Sequence, residues 1–282
     1  MSVAHELEVR VGGLTFFPYG AFYADLGALI VADLHIGYEE VLFESGIHLP
    51  KSQYGKIKSM IISAIERYSP EILVLLGDVK HEFGSSTRQE WVEVLDLLRS
   101  LRGLVEIHVV RGNHDNFLIP ILRREDVPLH DPSLKLGELL LFHGHKPLPE
   151  VEDAKLVIMG HEHPAIAIRD ELGVKRKFKC ALLGRINQFD LVVLPAASPL
   201  APGTDVLATP AKDLLSPLLS STNLEDFEII VTDEEAGSMR FGTIGALRKV
   251  QGIYPPSSQG APLRSDEHHD GQSYQRHEPE FP

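Results

Sequence analysis

Ala28-Leu29-Ile30-Val31-Ala32-Asp33-Leu34-His35 sets an apolar run directly before two side chains of metal-binding type. The arrangement recurs along the chain. Ile72 to Leu76 leads into Gly77-Asp78, Ile107 to Arg111 into Gly112-Asn113-His114-Asp115, Leu139 to Phe142 into His143-Gly144, and Leu156 to Met159 into Gly160-His161-Glu162-His163. Short apolar, β-branched runs bounded by glycine and turn residues read as buried strands. Each block therefore sits at the carboxyl end of a predicted strand. Parallel strands flanked by helices bring their carboxyl-terminal loops to one edge of the sheet, where open α/β proteins bind ligands. Residues far apart in sequence are thus expected to converge.

The donor set points to divalent metals of intermediate hardness. Carboxylates, an amide oxygen and imidazoles suit Mn, Fe, Zn, Co or Ni; Ca and Mg sites are nearly all oxygen, and structural Zn normally takes thiolate. In an extended chain, Asp33 and His35 project to one side because side chains alternate with period two, and His161 and His163 repeat the device. Glycines before Asp78, Asn113 and His161 permit tight turns and close backbone approach. Taken singly, Asp-x-His and Gly-Asp are ordinary strand terminators and turns. Five such blocks in order, each behind a strand-like run, exceed what turn chemistry needs.

The order of the blocks, D-x-H, G-D, G-N-H-D, H and G-H-x-H, resembles the calcineurin-like metallophosphoesterase superfamily over roughly residues 1 to 250. Ala32 to Glu39 and Gly77 to Phe83 further resemble its ICC-like branch, common in archaea and similar to a bacterial group encoded beside DNA ligases and helicases. The resemblance implies a four-layer α-β-β-α sandwich with a dinuclear metal site at the carboxyl ends of the strands. Asp33, His35 and His163 would hold one metal, Asn113, His143 and His161 the second, and Asp78 would bridge the pair, giving one carboxylate oxygen to each cation. His114 would face the scissile phosphate, with Asp115 orienting its ring and favouring the protonated form. Two cations about 3.5 to 4 Å apart acidify a bridging water and place the resulting hydroxide in line with phosphorus. The implied cofactors are two divalent ions, Mn2+ first and Fe, Zn, Co or Ni as alternatives.

Other polar residues near these blocks have two readings each. Lys80 and His81 are candidate substrate contacts or solvated loop residues. His145 is an alternative to His143 as ligand. Arg111 is either an ion-pair partner or a substrate contact, and Arg185 and Asn187 fall in an expected loop with no assigned role. Pro195 to Asp205 is a Pro/Gly loop that either walls the site or simply turns. Cys180 follows a basic segment, yet no general base stands near it, so it is a poor catalytic thiol; a single cysteine also permits a reducing compartment.

The 282 residues, 43% hydrophobic and 24% charged, suit one large globular domain over residues 1–250. Apolar stripes at Ile57, Ile61, Ala64 and Ile65 and at Trp91, Val94, Leu95 and Leu98 predict helices over Gln53 to Tyr68 and Arg88 to Arg99, with Trp91 in the core rather than against a cofactor. Strand-rich sequence after Ile158 (Ala165 to Ile168, Lys177 to Leu182, Leu191 to Leu194, Phe227 to Val231, Met239 to Phe241) predicts a second sheet. Residues 251–282 are Pro, Ser, Gly, Gln, His and acid, the composition of a disordered tail, in which His268, His269 and Asp270 read as solvated. No apolar run reaches transmembrane length and Met1 to Arg10 lacks a signal-peptide pattern, so a cytoplasmic location without membrane association is expected.

A net charge of −13 argues against strong non-specific binding to nucleic acid. The resemblance nonetheless points to a phosphodiesterase for nucleotides or nucleic-acid ends, with DNA-repair or RNA-processing proteins as partners. A small-molecule phosphomonoesterase and a non-catalytic scaffold on the same fold are the alternatives; the complete ligand set speaks against the scaffold.

Overall fold

The computed structural model describes residues 8–50, 52–84, 87–169, 173–234 and 236–253. Among them a seven-stranded sheet holds, in spatial order, β1 (Val9–Val11), β2 (Leu14–Phe17), β3 (Gly20–Tyr23), β4 (Ala28–Ala32), β5 (Ile72–Leu76), β6 (Glu106–Val110) and β7 (Leu129–His130). From β4 onward the pairing is parallel, and β1 to β4 form an antiparallel meander. The long connections between parallel strands carry α1 (Tyr38–Glu44), α2 (Gln53–Tyr68), α3 (Arg88–Leu101) and α4 (Ile119–Glu125).

The second sheet contains β8 (Ser133–Leu136), β9 (Leu139–Phe142), β10 (Leu156–Met159), β11 (Pro164–Arg169), β12 (Lys175–Ile186), β13 (Phe189–Val193), β14 (Thr204–Asp205), β15 (Glu228–Asp233) and β16 (Gly237–Thr243). Its centre, β9-β10-β13, is parallel and its flanks are largely antiparallel. Two short helices follow its strands, α5 (Pro217–Ser220) and α6 (Ile244–Gln251).

Period-two alternation divides the strand residues among three cores. Leu29, Val31, Leu73, Leu75 and Val109 face α2, α3 and α4, where Ile57, Ile61, Val94 and Leu98 meet them. The alternate residues Ile30, Ala32, Val74, Leu76 and Val110 pack on Leu139, Leu141, Ile158 and Val192 of the second sheet. On that sheet's other face Leu140, Phe142, Val157 and Met159 join Leu219 and Ile244. Each Ile or Leu fully buried in these layers contributes about 1.5–3 kcal/mol.

The predicted α2 and α3 are present, α3 running on to Leu101. Its start is fixed by a capping box: Thr87 Oγ1 accepts from the Glu90 amide at 3.1 Å, and Glu90 Oε2 accepts from the Thr87 amide at 2.8 Å. Arg185 proves to lie in β12 rather than a loop, paired with Asp190 at 3.0 Å, while Asn187 forms the β12–β13 turn at φ 49°. Gln251 closes α6 instead of opening a tail. His268, His269 and Asp270 lie outside the described residues.

Candidate metal centre

The parallel registers determine where the site forms. Ala32, Leu76 and Val110 stand level at the ends of β4, β5 and β6, and Phe142 stands level with Met159 at the ends of β9 and β10. Every sequence block therefore emerges at one edge, where the two sheets meet. The Pro195–Asp205 loop walls it: Ala32 and Ala196 form a parallel bridge, and the Ala197 and Ser198 amides donate to the Ala32 and Asp33 carbonyls at 2.8 and 3.1 Å. The partly buried Lys179 ammonium donates to the Ala196 and Ser198 carbonyls, fixing that loop.

Strand alternation does not aim the ligands. Asp33, His35, Asp78, His161 and His163 all lie just past their strands with positive φ, at 55°, 46°, 44°, 68° and 49°. Such conformations cost non-glycine residues on the order of 1–3 kcal/mol each and persist where surroundings over-determine them. Here the His35 amide donates to the Asp78 carbonyl at 2.9 Å, the Asp33 amide to the Gly77 carbonyl at 3.2 Å, and the His161 amide to Asp33 Oδ2 at 2.9 Å. Close approach needs glycine at two points. A Cβ on Gly77 would strike the His143 ring, and one on Gly112 would strike the Asp78 carboxylate and amide.

Two ligand groups result, Asp33-His35-His163 and Asp78-His143-His161, each with its donor atoms within 4.8 Å of one another. The first gathers the three residues expected around one metal, and the second sets Asp78 beside His143 and His161. Asp78 Oδ2 lies 3.9 Å from His35 Nε2 and 3.5 Å from His143 Nε2, facing both groups. His35 Nε2 and His163 Nε2 stand 3.4 Å apart, and Asp33 Oδ2 is 3.5 Å from His163 Nε2. Asn113 Oδ1 is buried without a hydrogen-bond partner. Imidazole nitrogens converging on buried carboxylates, with an orphaned amide oxygen beside them, fit cations of the donor preference given above.

Burial and mutual charge shift the titration of the cluster. Burial and the neighbouring carboxylates Asp115 and Asp33 push Asp78 up to about 7, against the opposing pull of His143. Burial disfavours the His143 imidazolium, yet Asp78 and Asp33 lift it to about 9. Burial and the charge on His143 depress His161 to about 3. Burial also opposes ionisation of Asp33, but His163 and His143 hold it well below the usual carboxylate range.

His114 sits at the rim, its Nε2 3.7 Å from Asp78 Oδ2 and its Nδ1 against the His81 carbonyl. Asp115 is placed differently from expectation, and burial lowers the His114 pKa instead of favouring its protonated form. Its carboxylate accepts from the Gly112, Val79 and Lys80 amides at 2.9, 2.9 and 3.4 Å, tying the β5 and β6 loops together, while the His114 ring is oriented by the His81 carbonyl. Lys80 is fully buried with its ammonium on the Glu82 carbonyl, which removes the solvated reading and leaves it a loop clamp. His81 lies inside the cluster, its Nδ1 3.2 Å from His35 Nδ1 and its ring stacked on Tyr38 at 3.9 Å. His145 does not replace His143; its Nδ1 lies 2.9 Å from His143 Nδ1. Arg111 is an ion-pair partner of Asp131 at 2.9 Å. Cys180 is buried, and burial pushes its thiol up, away from nucleophilic use.

Sequence assigns no site role to Phe83 or Glu90. Phe83 is 52% exposed with its ring 3.5 Å from the His114 ring centroid, and Glu90 accepts from the His81 and Glu82 amides at 3.0 and 2.6 Å.

Residues 28–165, which carry all five blocks, match the calcineurin-like phosphoesterase family. The chain is a metal-dependent phosphoric ester hydrolase. The structure is similar to that of the Pseudomonas putida nuclease MPE, at 19% identity and a TM-score of 0.58, covering 80% of this chain and 96% of that one, which supports the fold. Weaker likenesses include Yfce, a phosphoesterase from E. coli (16% identity, TM-score 0.40, 77% and 98% covered), and AQ665 from Aquifex aeolicus, a protein of unknown function (20%, 0.34, 48% and 78%). No curated protein matches the chain. Among the described residues no helix is long and apolar enough to cross a membrane.

Proposed function

We propose that this hydrolase is a phosphodiesterase acting on nucleotide or nucleic-acid phosphodiester bonds with two divalent cations, Mn2+ first among them. The observation that carries the reading is Asp78 Oδ2 facing two ligand groups at once, beside the orphaned Asn113 Oδ1. Asp33, His35 and His163 would hold one cation, Asn113, His143 and His161 the other, with Asp78 between the two groups. When bound, the pair supplies Lewis-acid charge to the phosphoryl oxygens and acidifies water for in-line attack.

The chain's own groups do the rest. With Nδ1 of His114 committed to the His81 carbonyl, Nε2 is the nitrogen turned toward the reacting centre, and from there a protonated ring passes its proton to the departing oxygen. Asp115 acts as a positioning residue, locking the two loops that present Asp78 and His114. Phe83, half-exposed over His114, and Tyr38, stacked on His81, give the leaving-group side an aromatic wall. Nucleobases stack on such surfaces, which favours a nucleotide-like diester over a small phosphomonoester. The same reading takes the fold as the four-layer sandwich of the superfamily, and the Ala32–Glu39 and Gly77–Phe83 segments as marks of its ICC-like branch.

Hydrolysis of bis-p-nitrophenyl phosphate beside p-nitrophenyl phosphate, with Mn2+ returned to metal-stripped protein, tests this. Diester cleavage should dominate and should fall by about 10²- to 10⁴-fold in His114→Ala, the range of general acid catalysis, while calorimetry finds Mn2+ still bound. Monoester preference, or a His114→Ala variant as fast as the parent, would remove the reading.

A further inference from the structure

Each ligand group contains one histidine backed, through Nδ1, by a second histidine that belongs to neither group. Behind His35 stands His81, the two Nδ1 atoms 3.2 Å apart; behind His143 stands His145, the two Nδ1 atoms 2.9 Å apart. In both pairs the inner ring is buried and turns Nε2 toward the carboxylates, His35 to Asp78 at 3.9 Å and His143 to Asp33 at 2.8 Å. Both outer rings are only partly buried. The arrangement is the same on two strand ends that belong to different sheets.

We infer that His81 and His145 are positioning residues that hold His35 and His143 in the tautomer able to ligate a cation through Nε2. This rests on the metal assignment made above and adds who enforces it. Two ring nitrogens at hydrogen-bond distance require one to donate and the other to accept. A neutral imidazole that offers Nε2 to a cation keeps its one proton on Nδ1. His35 and His143 must then be the donors, and His81 and His145 the acceptors, each keeping its own proton on Nε2. Partners that hold the far nitrogen of a ligating histidine fix both its tautomer and its ring plane. Here that partner is an imidazole instead of the usual carboxylate or carbonyl, so the site gains orientation without adding negative charge to a cluster that already buries Asp33, Asp78 and Asp115.

The surroundings hold the outer ring of one pair in place. Tyr38 stacks on His81 at 3.9 Å with an interplanar angle of 18°, and Glu90 fixes the His81 amide at 3.0 Å. The His81 carbonyl also receives His114 Nδ1, so a single residue orients a metal ligand with its ring and the proton donor with its backbone.

A competing use of the same atoms is a third cation site, since donor atoms of His35, His81 and His114 also fall within 4.8 Å of one another. Metal stoichiometry separates the two. Metal-stripped full-length protein would be titrated with Mn2+ by calorimetry and electron paramagnetic resonance, for the parent, His81→Ala, His81→Asn, His145→Ala and His145→Asn. Positioning predicts two ions per chain throughout, with affinity at one site weakened about 10- to 100-fold by each alanine variant, the cost typical of losing such a partner. Asparagine, whose Oδ1 can accept from the inner ring, should recover most of the loss. With Zn2+ as a diamagnetic probe, 15N spectra of the histidine rings should show His35 and His143 protonated at Nδ1 in the parent, and mixed tautomers in the alanine variants. Three ions in the parent with two in His81→Ala, or alanine variants with unchanged affinity and tautomers, would overturn the inference. Should an alanine variant fail to fold, the asparagine variant decides: parental affinity supports the acceptor role and a weakening as large as 100-fold refutes it. None of these readouts uses phosphodiesterase activity, so a chain that binds two ions and cleaves no diester would defeat the proposed function while leaving this inference standing.

Discussion

Gly112 shows how little room the centre leaves at the level of one residue. A methyl group there would meet the carboxylate and amide of Asp78, the group that faces both ligand sets, and the Gly112 amide already donates to Asp115. The surroundings are backbone and buried side chains, so overpacking has no flexible neighbour to displace; such strain typically costs about 1–3 kcal/mol. Gly112→Ala should therefore lower the melting temperature and weaken Mn2+ binding together. A variant that melts earlier yet titrates like the parent would show that Asp78 can retreat without losing its place between the two groups. Residue identities were largely legible at this scale: most of the side chains that gather at the sheet edge come from the five sequence blocks. Their aim was not. Extended-chain alternation places Asp33 and His35 on one side, whereas both turn through left-handed backbone held by hydrogen bonds that their amides donate to carbonyls of the neighbouring β5 loop. Those bonds exist only once the strands are paired, so no local pattern announces them. Sequence leaves His81 open between substrate contact and solvated loop residue, and His145 open as an alternative ligand, for the same reason: their partners are set by turns.

Among the elements, α3 connects helix capping to the centre. Its Thr87-Glu90 box satisfies amide donors at the helix start, and the same Glu90 carboxylate accepts from the His81 and Glu82 amides. Replacing an N-cap Thr by Ala costs about 1 kcal/mol, which corresponds to roughly 2–4 °C in a domain of this general size. Thr87→Ala should show that drop by calorimetry. Because Glu90 keeps its other amides, Mn2+ affinity should move far less than in His81→Ala; an equal loss would mean that the cap, not the ring, governs the ligand. The apolar stripes of α2 and α3 made both helices readable, as their periods run over several turns. Elements such as α1, α5, β7 and β14 are too short to display a period, and they form against partners already in place. The strand β12 extends beyond its apolar core because its polar first half, Lys175 to Lys179, pairs with β11 rather than being buried on both faces.

At the scale of the whole molecule, the centre joins two sheets that otherwise pack through a largely apolar interface. Asp33, His35, Asp78 and Asn113 come from the ends of the first sheet, and His143, His161 and His163 from the second. A cation held by ligands from both is a cross-link present only in the folded state. Binding of that kind stabilises by mass action, about 2.7 kcal/mol per site when free metal is 100 times its dissociation constant. Removing metal also leaves Asp33 and Asp78 buried among imidazoles, with His143 the neighbour that offsets their charge most directly. Chelation should thus lower the melting temperature by several degrees, and readdition of Mn2+ should restore it. Hydrogen exchange locates the effect: amides that tie the sheets at the centre, those of Ala197, Ser198 and His161, should lose protection on chelation, while the amides of α2, far from the cross-link, should keep theirs. A uniform loss across the chain would mean that the cations support global stability without clamping this seam. No change at all would mean that the apolar interface formed by Ile30, Val74, Leu141 and Ile158 suffices to hold the sheets in register.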